Sequence, residues 1–184
     1  LPIDGQFNCV ILIYLILFGS VLDFQLVEGK EIDNDLAIGY IEDMDHDLTI
    51  DSMFTAENQE VFNDQPLLNP FFGYNSNPHW FRFQIPKRLQ KQDVFVIINT
   101  AGLYEVALYQ GFPNGERKVS LLGRSVPLSK WEIKSRKFVF KVNGSSTTQA
   151  LYLRAKEDAS LIVPIVVKSE KEYNNYQLIE TLLY

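Results

Sequence analysis

The stretch Gly73-Tyr74-Asn75-Ser76-Asn77-Pro78-His79-Trp80-Phe81-Arg82-Phe83 decides the fold, read with Leu151-Tyr152-Leu153-Arg154 much later in the chain. In each, apolar residues alternate with an aromatic and an arginine. Phe81 and Phe83 fall on one face, Trp80 and Arg82 on the other. Leu151 and Leu153 oppose Tyr152 and Arg154. A period of two places these sets on opposite faces of a strand. One face is built for a core, and the other carries aromatic rings beside guanidinium groups.

Outward from these segments the chain repeats short runs rich in Val, Ile, Phe and Tyr, separated by turn clusters such as Asn63-Asp64, Asn75–Pro78, Pro113-Asn114-Gly115 and Asn143-Gly144. Leu36–Ile41 reads as a first strand, Glu42–Asp47 as a turn, and Leu48–Phe54 as the returning strand. Further strands are expected at His79–Ile85, Asp93–Thr100, Tyr104–Gln110, Lys118–Leu122, Arg136–Val142, Gln149–Ala155 and Leu161–Lys168. This spacing leaves no room for a helix after each strand, so an all-β sandwich is expected over residues 36–168 rather than a parallel α/β sheet. Thirteen percent aromatic residues in a chain of 184 suits strands and a sizeable core.

The two ends differ in character. Cys9–Phe18 is continuously apolar, shorter than the roughly 20 residues of a spanning helix, and followed by Gly19 and Ser20. Residues 1–25 therefore read as an export signal, with an uncleaved anchor or a buried element as alternatives. The preceding residues lack Lys and Arg, which departs from the usual signal pattern. Residues 169–184 have helix-compatible spacing. They read as a linker entering a helix, with Tyr173–Tyr184 packing poorly on the sandwich because Leu178, Ile179, Leu182 and Leu183 lack an apolar partner there.

Several function classes are disfavoured. A net charge of -6 without a basic run is a poor match to nucleic acid. A lone cysteine allows neither an internal disulfide nor a cysteine zinc site. His46 and His79 have no nucleophile or carboxylate partner at a telling spacing, and no nucleotide-binding, zinc-protease or serine-hydrolase motif occurs. Asp43, Asp45 and Asp47 begin like a calcium loop but lack its glycine and its twelfth-position glutamate, so they read as a turn. Asn143-Gly144-Ser145 matches a glycosylation sequon and equally a hairpin turn. No catalytic residue, metal ligand or cofactor is indicated.

The candidate ligand-binding residues are Trp80, Arg82, Tyr152 and Arg154. If their strands are neighbours, their side chains form one patch. Aromatic faces there would stack a sugar ring, and guanidinium groups would bind carboxylates or hydroxyl pairs. The structural alternative is that Trp80 is covered by a loop and that both arginines pair with acidic neighbours.

From about Gly39 to Val167 the chain resembles a known family. The resemblance is carried by Tyr40-Ile41-Glu42-Asp43 with Leu48-Thr49-Ile50, and by Gly73 with Trp80-Phe81-Arg82-Phe83. Further along it rests on Val106-Ala107-Leu108-Tyr109, Gly123 with Pro127, Arg136 with Phe138-Val139-Phe140, Leu151–Arg154, and Pro164. Together these are similar to the type-two extracellular domain of bacterial seven-transmembrane receptors with diverse intracellular signalling modules. The resemblance implies a jelly-roll sandwich like those of carbohydrate-binding modules. It also implies periplasmic or extracellular placement and tethering to a C-terminal seven-transmembrane module, towards which residues 169–184 would lead. It implies ligand sensing, with carbohydrate or another small carboxylate or hydroxyl ligand as the candidate. The alternative is a protein-interaction module that binds no small ligand, as in receptor homodimerisation.

Overall fold

The computed structural model describes residues 36–54, 62, 65–66, 71–74, 76–111, 117–144 and 150–183. The apolar segment read as an export signal lies outside the described residues.

Alternation in the two diagnostic segments is realised as paired strands. The strands are β1 (Ala37–Glu42), β2 (Gln65–Pro66), β3 (Phe71–Tyr74), β4 (His79–Phe83), β5 (Asp93–Ile98), β6 (Glu105–Gly111), β7 (Arg117–Leu122), β8 (Phe138–Asn143), β9 (Leu151–Lys156), β10 (Ser160–Ile162) and β11 (Ile165–Ser169). A six-stranded sheet runs β2-β1-β4-β9-β6-β7, a three-stranded sheet β11-β5-β8, and β10 pairs with β3. The described pairings are antiparallel. The chain passes between the two larger sheets at β4–β5, β5–β6, β7–β8 and β8–β9, the manner in which a jelly roll fills a sandwich.

The inner faces meet in one core. Phe81, Phe83, Val106, Leu108, Leu151 and Leu153 of the larger sheet pack with Val94, Val96, Ile98, Phe138, Phe140 and Val167 of the smaller. These are the apolar positions of the period-two pattern, and their removal from water is the main stabilising term.

The structure corrects several expectations. Leu48–Phe54 does not return as a strand. Thr49 N donates to Ser52 Oγ at 2.9 Å and Ser52 N to Thr49 Oγ1 at 3.3 Å, which closes a turn leading into a 3-10 segment at Ser52–Phe54. Side-chain hydroxyls here satisfy the backbone groups that a ladder would have used. The strand expected over Leu161–Lys168 divides at Val163-Pro164, because proline has no N–H to give a ladder. Asn143 ends β8 and Gly144 follows it towards a strand of the other sheet, so the pair is no hairpin turn. Gly144 N donates to Gln92 O at 3.0 Å, and a Cβ on Gly144 would lie 2.3 Å from that oxygen. In β3, Gly73 has φ 75° within a register shift against β10, where a bulge favours glycine.

The C-terminal segment also differs from expectation. Helix α1 (Glu170–Leu183) docks on the outer face of the smaller sheet. Tyr173 stacks on Phe95 with ring centroids 4.3 Å apart, beside Ile97 and Val139. Outward-facing aromatic and aliphatic side chains on β5 and β8 supply the apolar partner that the sequence had not revealed. Leu178 and Ile179, on the far side of α1, are exposed. Among the described residues no helix is long and apolar enough to cross a membrane.

Candidate functional site

Strands β4 and β9 are direct neighbours, so the four candidate residues share one outer face. Trp80 lies opposite Arg154 and Arg82 opposite Tyr152. Tyr109 on β6 lies opposite Tyr152 from the other side, and its ring centroid is 5.4 Å from that of Trp80. Burial raises the Tyr109 hydroxyl above its usual range. Arg154 opposes that shift and Glu105 adds to it.

This face is covered. Met53 and Phe62 pack on Trp80 and Tyr152, with Leu48 and Ile50 alongside, and leave the two rings only 1% and 2% exposed. Leu48 and Ile50 thus use their apolar character as a lid on the sheet rather than as a strand within it. An open stacking platform is not what the sheet presents. Arg154 Nη1 donates to Glu105 Oε1 at 2.9 Å, and its guanidinium lies 5.9 Å from the Trp80 ring. The Arg82 guanidinium lies 4.7 Å from the Phe62 ring.

Arg82 also reaches an open cleft. The cleft has a volume of about 790 Å³ where the chain leaves β4, and is lined by Arg82, Gln84, Ile85, Lys87, Arg88 and Gln90 among others. Pro86 and a 3-10 turn at Lys87–Leu89 form its rim. Leu89 N donates to Pro86 O at 2.8 Å and the Leu89 side chain is buried, so the turn presents Lys87 and Arg88 from an anchored backbone. Three cations and no carboxylate occur among the described lining residues. Of the four sequence candidates only Arg82 lines this cleft. Its other polar groups were missed, although the basic pair Lys87-Arg88 directly follows the Trp-Phe-Arg-Phe strand and its Pro86 turn.

The acidic turn is structural. Asp43 is buried, and its Oδ1 accepts the N–H groups of Asp47 and Leu48 at 3.1 and 3.3 Å. His46 Nε2 is 3.0 Å from Asn77 Oδ1, and Asn77 Nδ2 donates to Glu42 Oε1 at 2.8 Å. No cluster of metal-ligating side chains occurs among the described residues. His79 is buried against Phe72. Burial pulls its pKa below 6.5, opposed by the Asn77 carbonyl and Glu42.

A family model, 7TMR-DISM extracellular 2, matches residues 36–169, which is the whole sandwich. The chain belongs to the 7TMR-DISM extracellular 2 family. No curated protein matches the chain. The 7TMR-DISM extracellular 2 domain is an extracytoplasmic sensor domain of seven-transmembrane receptors, and the family is not one of known enzymes. In this member the matched region ends at Ser169, one residue before α1 begins.

Proposed function

We propose that this domain is the non-catalytic, ligand-sensing part of a membrane signalling receptor, and that its ligand is a small hydroxylated or carboxylated molecule, carbohydrate included. The cleft beside Arg82 carries the proposal. Its volume falls within the range of small-molecule sites, and its lining combines apolar walls with convergent polar groups. Arg82 is the direct contact. Trp80, Tyr152 and Arg154 support it from within the same sheet, where their packing and the Glu105 pair fix the strand that bears it.

A ligand-detected NMR screen of glycans and small carboxylates on the full chain tests the assignment. Binding should be lost in a folded Arg82→Ala variant. Equal binding by that variant would remove the cleft from consideration. The interaction-module alternative has its own observation. Edge strand β7 exposes Val119 and Leu121, at 54% and 43%. A concentration-dependent dimer abolished by Val119→Lys, in a protein that binds nothing in the screen, would favour association over ligand sensing.

A further inference from the structure

An ion pair joins the cleft to the C-terminal helix. Arg88, on the rim, donates from Nη1 to Glu172 Oε1 at 3.0 Å. Glu172 is also part of the start of α1. Its Oε2 accepts Ser169 N at 2.7 Å and Ser169 Oγ at 2.8 Å, while Glu172 N donates to Ser169 Oγ at 3.3 Å. This is a reciprocal capping box spanning Ser169 and Glu172. One carboxylate therefore ties the first turn of α1 both to its own cap and to the wall of the cleft.

We infer that the cleft takes a ligand bearing a carboxylate, held by Arg82, Lys87 and Arg88, and that this carboxylate competes with Glu172 for Arg88 and so reports occupancy to α1. The inference rests on the ligand-sensing function proposed above and deepens it. The chemistry follows from the lining. Clustered cations raise the local concentration of anions, and a planar guanidinium binds a carboxylate through two parallel hydrogen bonds. Apolar walls from Ile85 and Pro86 leave room for the body of the ligand. The Arg88–Glu172 pair is poised for exchange because both side chains remain partly exposed, at 43% and 45%. Such pairs contribute little net stability, so a ligand carboxylate can replace Glu172 at small cost. The consequence lands on α1, whose first turn then keeps its Ser169 cap but loses the Arg88 tie. A neutral sugar in the same cleft has no anionic group to displace Glu172.

The test uses the full chain with glucuronate, glucose and inorganic phosphate as probes, read by calorimetric titration and by amide exchange over residues 169–183. Glucuronate should bind at least about tenfold tighter than glucose and accelerate exchange in the first turn of α1. Arg88→Gln, shown to be folded by circular dichroism, should weaken glucuronate about tenfold or more. Glu172→Gln should bind glucuronate tighter than wild type, and exchange at its helix start should no longer respond to ligand. Glucuronate binding without an exchange response would overturn the carboxylate readout. Glucose binding as tightly as glucuronate would leave ligand sensing standing and overturn the anionic class. Saturable binding of glucose with neither anion bound would do the same, whereas binding of none of the three would count against ligand sensing itself. Unchanged glucuronate affinity in both variants would remove Arg88 and Glu172 from the coupling.

Discussion

Replacing Tyr173 with alanine should release α1 while leaving the sandwich intact. Tyr173 is 7% exposed, and its ring lies nearly parallel to Phe95, with 11° between the planes. Truncation returns on the order of 120 Å² of apolar surface to water, worth about 3 kcal/mol at roughly 25 cal/mol per Å². Loss of the stacked geometry adds about 0.5–1 kcal/mol. What remains is weak. The Lys137–Glu180 and Arg88–Glu172 ion pairs, at 2.6 and 3.0 Å, contribute at most about 1 kcal/mol each. A helix of 14 residues without tertiary support is marginal in water. Amide exchange of residues 174–181 should therefore accelerate about a hundredfold, with β5 and β8 amides unchanged. Tyr173→Phe is the control. It removes only the hydrogen bond that the Tyr173 hydroxyl accepts from Gln177 at 2.7 Å, a loss of about 1 kcal/mol or less. Wild-type protection of α1 in Tyr173→Ala would refute the docking energetics.

Other perturbations probe different parts of the structure. Gly123 has φ 126°, and a Cβ there would lie 2.4 Å from Tyr104 O, so Gly123→Ala should destabilise by about 2–4 kcal/mol in urea titration. His79 binds its proton less readily when folded, because burial outweighs the Asn77 carbonyl and Glu42. Its contribution is thus complete above the unfolded value of 6.5 and declines as pH falls below it. Thermal midpoints measured from about pH 7.5 to about pH 5 should fall with acidification, and His79→Phe should flatten that slope. A double-mutant cycle on Arg154 and Glu105 should return a coupling of about 1 kcal/mol, since both side chains are about one quarter exposed, at 24% and 28%.

The sandwich was legible because its signal is local. Phe81/Phe83 and Leu151/Leu153 are apolar at every second position, and the pairing of β4 with β9 places both sets in the same core. The same periodicity put Trp80, Arg82, Tyr152 and Arg154 on one face. It could not reveal what covers that face, because Met53 and Phe62 reach it through tertiary packing rather than sequence spacing. Leu48-Thr49-Ile50 has strand propensity, and the Thr49–Ser52 hydroxyl exchange, with Leu48 N bonded to Asp43, converts it into a turn. The docking of α1 was hidden for a similar reason. Phe95, Ile97 and Val139 belong to near-continuous apolar runs, in which the second buried face has no polar residue to betray it. Ser169-Glu170-Lys171-Glu172 did carry a readable capping signature, and Lys87-Arg88 a readable basic pair. Their connection, the Arg88–Glu172 ion pair, exists only in three dimensions.

Under the proposed function, ligand enters the cleft at Arg82 and Arg88 rather than the covered aromatic face. Arginine Nε–H and tryptophan indole N–H signals, assigned and followed by NMR through a glucuronate titration, test it most directly. Saturable shifts are expected at Arg82 and Arg88, with the Trp80 indole and Arg154 signals unmoved. Shifts confined to Trp80 and Arg154 would contradict it.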